Sequence, residues 1–254
     1  MKKINKINQY FLGLKFAFSY FTILPINFKK EDDLTQKNVL NSMLYFLPFV
    51  GFILGVFTIF LYGFLNNLEW FGASLCAFVY MLTYGFIHTE AILDVVDALY
   101  AKHSGKNAYE VIKEPDVGAM GVLYAVSLVF IKLSAIVFLL LNGFFFEFIS
   151  TLIISRFVLI FLIKISDFKS KFVNMLKDAL SFNCLLFSFI FTIVMIVILS
   201  GFETLYLLVI ALFTSFVIFK FIKKNLGFLN GDALGMTLEL TEIILFITIL
   251  CLWY

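Results

Sequence analysis

Charge is what this chain lacks. Only 14% of its 254 residues are Asp, Glu, Lys or Arg, against 62% hydrophobic, and its mean hydropathy is +1.03. A soluble globular domain is not built that way, so a polytopic membrane protein is expected. Stretches rich in Pro, Gly and Ser are missing, as are low-complexity tracts and internal repeats, which excludes a linker and predicts one domain over 1–254. Cysteine is scarce too. Cys76, Cys184 and Cys251 lie far apart in apolar runs without a CxxC, so neither a disulfide framework nor a thiolate metal site is expected. The apolar run after Lys2, Lys3 and Lys6 has no small-residue cleavage site, and no signal peptide is expected. A net charge of +2 says little by itself, and no nucleic-acid partner is expected.

What is present is a series of apolar runs at about 44–65, 69–88, 119–142, 148–165, 181–200, 205–222 and 234–254. They predict an all-α bundle of about seven membrane spans. Residues 9–25 are apolar but short, with Lys15 inside and Pro25 at the end, and predict an interfacial or re-entrant helix. Pro48, Gly51 and Gly55 permit a kink or a close helix crossing. The abundant Phe and Tyr are expected to face lipid. Turns 66–68, 143–147 and 201–204 contain no Lys or Arg, whereas the other loops carry Lys29–Lys37, Lys102–Lys113, Lys169–Lys177 and Lys223–Lys224. That asymmetry predicts a cytoplasmic side for the lysine-rich loops.

Two acidic stretches fall on that side. HTEAILDVVD (88–97) brings Glu90, Asp94 and Asp97 within roughly 60° of one another on a helix. Clustered carboxylates repel, and a hard divalent cation such as Mg²⁺ would offset them. The plain alternative is a solvated helix end whose acids pair with Lys102, Lys106 or Lys113. A polar segment over 98–117 follows, closed by Pro115 and Gly118. LGFLNGDALGMTLELTE then carries Asp232, Glu239 and Glu242 on one face, after an Asn230–Gly231 turn signal. A helix starting near Asp232 would present free N–H groups to phosphate. Glu239 and Glu242 could also bond between helices or pair with lysine. Lys132 and Arg156, deep in apolar runs, are candidates to neutralise acids or to touch substrate phosphate. His88 is a candidate ligand or general base beside a bland reading as a hydrogen-bonded residue.

The ordered set of motifs resembles the cobalamin synthase family, the adenosylcobinamide-GDP ribazoletransferases. The first family pattern, close to H-x-D-G-x-x-D-x-x-D-G, is met by His88, Glu90, Asp94 and Asp97. Lys113, Glu114, Gly118 and Gly121 follow in register, then Lys132 and Ser155–Arg156, then Asn230, Gly231, Asp232, Leu234, Gly235, Glu239 and Glu242. FTILP (21–25) and FLPFVG (46–51) resemble the family's early motifs. Glu90 and Glu114 stand where Asp is usual, Ala91 and Ala98 where Gly is usual, and Asp116 where a basic residue is common.

The resemblance implies transfer of an adenosylcobinamide phosphate unit from adenosylcobinamide-GDP to a ribose hydroxyl of α-ribazole or its 5′-phosphate. GMP leaves, and Mg²⁺ is required. It implies metal ligation by Glu90, Asp94 and Asp97 with Asp232, Glu239 and Glu242. It also implies catalysis through Asp94, Asp97, Asp232 and His88, and phosphate contact by Lys113, Lys132 and Arg156. The implied setting is a bacterial cytoplasmic membrane with the site facing the cytoplasm, and with other corrin-assembly enzymes as prospective partners. Two rivals stand beside it. A CDP-alcohol phosphotransferase lacks support because its D-G-x-x-A-R signature is absent. A cation-coupled transporter would use Glu239 and Glu242, but no inverted repeat is evident.

Overall fold

The computed structural model describes residues 6–114 and 116–253; Lys2, Lys3 and Pro115 lie outside them. The described residues form twelve α-helices and no strand. A short N-terminal pair, α1 (Lys6–Phe21) and α2 (Lys37–Tyr45), precedes the long helices α3 (Leu47–Leu65) and α4 (Glu69–Thr83). Next come α5 (Ile87–His103), the single turn α6 (Ala108–Val111), α7 (Ala119–Leu141) and α8 (Phe145–Ile165). The chain ends with α9 (Lys171–Ala179), α10 (Phe182–Ser200), α11 (Leu205–Leu226) and α12 (Gly231–Trp253).

Six segments of the described residues are long and apolar enough to cross a membrane. The first, Leu47–Thr83, contains both α3 and α4, which pack on each other about the 66–68 turn. The seven expected apolar runs therefore correspond to α3, α4, α7, α8, α10, α11 and α12, and the protein is a multi-pass membrane protein. Helix α1 has 16 residues, roughly 24 Å of helix against a hydrocarbon core of about 30 Å, and packs on α2. Pro48 occupies the first turn of α3, where its missing N–H costs nothing, and separates α3 from α2 at Phe46.

The run expected to extend to residue 88 stops at Thr83. Gly85 (φ 67°) and Phe86 (φ 54°) both adopt left-handed backbone, and Phe86 caps the start of α5. That conformation costs a side-chain-bearing residue about 1–2 kcal/mol. It breaks the α4–α5 line, so the acidic stretch belongs to a separate helix packed on α7 and α12.

Helix α8 is the hub, with α3, α10, α11 and α12 around it and nearly every side chain buried. Phe130 on α7, Ile198 on α10 and Phe213 on α11 point outward and are about 70% exposed, as lipid-facing side chains would be. Contacts define two ends. Ser150–Ser200 and Tyr62–Phe145 mark one. Asp97–Gly118, Lys102–Asn225, Tyr20–Phe172 and Lys169–Leu229 mark the other, where the acids and most loop lysines gather.

Candidate active site

Helices α5 and α12 cross closely enough to bring the two acidic stretches together. A Cβ added at Gly235 would sit 2.7 Å from the Ala91 Cβ, so glycine at 235 and a small residue at 91 set the spacing. Asn230 starts α12: its Oδ1 accepts from the Ala233 N–H (3.0 Å), and its Nδ2 donates to Asp232 Oδ2 (2.5 Å). Asp232 and Asp94 are half-buried, and Glu90 is exposed. Burial, then the charges of Asp232, Glu90 and Asp97, push the Asp94 carboxyl up to about 6. None of the ion pairs among the described residues involves Glu90, Asp94 or Asp232. The alternative reading, in which these acids pair with Lys102, Lys106 or Lys113, finds no such pair among the described residues. Among the described residues, no three acidic, His or Cys side chains are gathered as a self-sufficient metal cage.

Asp97 lies on the same helix but has a different occupation. Its Oδ2 accepts the N–H of Gly118 and its Oδ1 that of Gly121, both at 2.7 Å. It caps α7 from across the fold, a structural use of the carboxylate beside the metal-ligand and catalytic roles expected of it. A Cβ at either glycine would come within 2.5 Å of a carboxylate oxygen, which gives the Gly118–Gly121 spacing its physical reason. Asp97→Asn turns one acceptor into a donor and removes the charge at a helix N-terminus. Thermal unfolding in detergent should show a loss of about 1–2 kcal/mol; an unchanged midpoint would mean the cap holds nothing.

Glu239 and Glu242 do not join the acidic cluster either. Lys132 Nζ lies 2.6 Å from Glu239 Oε2 and 2.7 Å from Glu242 Oε2, and Arg156 pairs with Glu242 Oε1. The Tyr84 hydroxyl donates to Glu239 (2.8 Å), and those of Tyr80 (2.9 Å) and Ser155 (2.8 Å) donate to Glu242. Two acids and two bases cancel inside the bundle, where an unpaired charge is expensive. These pairings occupy the four side chains within the bundle, whereas the family resemblance implies metal ligation by Glu239 and Glu242 and phosphate contact by Lys132 and Arg156. Tyr80 and Tyr84, expected to face lipid, are fully buried parts of this network.

The Cobalamin-5-phosphate synthase family model matches residues 13–250. The chain belongs to that family. Among similar relatives are adenosylcobinamide-GDP ribazoletransferases of Chlorobium chlorochromatii, Thermodesulfovibrio yellowstonii and Clostridium tetani. The first is 30% identical, with 93% of this chain and 94% of the relative covered. The second is 27% identical over 96% of each. The third is 25% identical over 97% of this chain and 99% of its own. No solved structure matches.

In this cobalamin-5-phosphate synthase family member, His88 is buried on the first turn of α5. Its ring stacks on Tyr84 (centroids 5.9 Å apart, 28°) and tilts against Phe21 at 6.0 Å. Burial, then the positive charges of Arg156 and Lys132, push its pKa down to about 3, with Glu242 opposing. The imidazole is neutral at physiological pH and a weak base. Lys113 is exposed, its Nζ 3.9 Å from the centroid of the Tyr109 ring. The contributions of Tyr80, Tyr84 and Tyr109 were not signalled by the sequence beyond the four-residue spacing of the first two.

Proposed function

We infer that this chain is an adenosylcobinamide-GDP ribazoletransferase that forms adenosylcobalamin or its 5′-phosphate and releases GMP. The observation that carries the reading, beside family membership, is a trio of carboxylates, Glu90, Asp94 and Asp232, without a protein countercharge. Their mutual repulsion and all-oxygen chemistry fit Mg²⁺ held jointly with a substrate diphosphate, because Mg²⁺ commonly takes one or two carboxylates and completes its shell with phosphate and water. Bound there, the ion would neutralise the diphosphate and ease departure of GMP. A ribose hydroxyl of the ribazole attacks the phosphorus that stays with the corrinoid, and the bond from that phosphorus to the GMP oxygen breaks. A carboxylate of the cluster takes the hydroxyl proton. The Asn230 cap holds Asp232 in place, and the Gly235–Ala91 crossing holds α5 against it.

The direct test uses purified protein in lipid with adenosylcobinamide-GDP, α-ribazole and Mg²⁺. GMP and joined corrinoid should form in equal amounts; an absence of both would overturn the reading. The lysine distribution supports a cytoplasmic-membrane location with this end facing the cytoplasm. Single cysteines at 102–106 and 223–224 should label only from the cytoplasmic side, and those at 142–143 only from outside. Labelling of 102–106 from outside would invert the topology.

A further inference from the structure

At the same end of the bundle as the acids lies a cleft of about 280 Å³ whose lining includes Lys102, Lys106, Lys169, Tyr109 and Phe228 and no carboxylate. Lys169 Nζ stands 3.5 Å from the Tyr109 ring centroid, and Lys113 Nζ approaches the same ring. Two ammonium groups on one phenol ring repel, and none of these four lysines has an ion-pair partner among the described residues. Tyr109 and Phe228 meet edge to face, 5.2 Å between centroids, and give the cleft an aromatic wall. The arrangement is braced. Lys102 Nζ donates to the Asn225 carbonyl at 2.5 Å, and the Lys169 N–H donates to the Leu229 carbonyl at 2.7 Å.

Both walls lead to the acidic cluster. Lys102 lies two helical turns beyond Asp94 on α5, about 12 Å along the axis. Phe228 lies four residues before Asp232. Unpaired ammonium groups suit a phosphate monoester, which carries close to two charges and three acceptor oxygens. The acids about two helical turns away would repel such a group, so the electrostatics sort a substrate with one phosphorylated end.

Resting on the ribazoletransferase reading, we propose that this basic cleft is a phosphate-monoester subsite that selects the 5′-phosphorylated ribazole over the free nucleoside. Lys106 and Lys169 determine that preference, while Lys102, already anchored to Asn225, shapes the wall. The alternative source of phosphate is a lipid headgroup.

The experiment compares wild type with Lys106→Gln/Lys169→Gln. GMP release is followed with α-ribazole and with its 5′-phosphate, in vesicles of neutral lipid and in vesicles containing anionic lipid. The KM preference of the wild type for the phosphorylated nucleoside should fall at least about tenfold in the double variant, in both vesicle types. An equal change for both nucleosides, or none, overturns the proposal. So does a change seen only with anionic lipid, which would assign the cleft to a headgroup. Phenyl phosphate binding, measured by calorimetry without corrinoid, separates the two readings. Its loss in the double variant supports the subsite even if no GMP is ever formed, and binding by neither protein overturns it.

Discussion

Asp94→Asn and Asp232→Asn are each expected to slow GMP release at least about 10²-fold, because electrostatic stabilisation of a transferring phosphate supplies several kcal/mol. The two acids lie on the helices that meet at the α5–α12 crossing; Asp232 adds to the repulsion that lifts the Asp94 carboxyl, and Glu90 adds to that felt by Asp232. They act as a unit, so the double variant should be scarcely slower than either single one. Folding should survive, since neither acid has a cation partner whose loss would strand a charge. Initial rates of GMP release, alongside the thermal midpoint of each variant, decide it. Wild-type turnover, or losses that multiply in the double variant, would remove these acids from the chemistry.

Lys132→Met is expected to act in the opposite way, on the fold before the rate. Lys132 is fully buried and bridges Glu239 and Glu242; without it, one arginine faces two carboxylates inside a membrane bundle. Breaking such a pair from one side costs about 3–5 kcal/mol. Adding Glu239→Gln should recover much of that loss, because the amide oxygen still accepts from Tyr84 while the stranded charge disappears. Unfolding in detergent measures both variants. A Lys132→Met protein as stable as wild type would mean that α7 and α12 are held by apolar packing alone.

The apolar runs were legible because length and hydropathy suffice to specify a helix that crosses a bilayer, and all seven are found. The division of labour among the acids was not. Asp232 and Glu239 share a helical face by periodicity, yet Glu239 sits about 10 Å further along α12, where Lys132 meets it. Periodicity gives direction around a helix, not the neighbour at each depth. Asp94 and Asp97 pose the same difficulty, since only the backbone of Gly118 and Gly121 distinguishes them. The break at residues 84–86 left one sequence signal, Gly85; nothing announces a left-handed phenylalanine after it.

The buried tetrad also fixes an order of events at synthesis. Lys132 and Arg156 precede their partners by 107 and 86 residues, and the partners lie on α12, which follows every other helix. Two cations therefore enter the bilayer on α7 and α8 with no countercharge and wait for α12 to be made. Arrival of α12 neutralises both charges at once and brings Asp232 to α5 in the same movement. The chain thus gains its acidic centre only when its membrane interior closes.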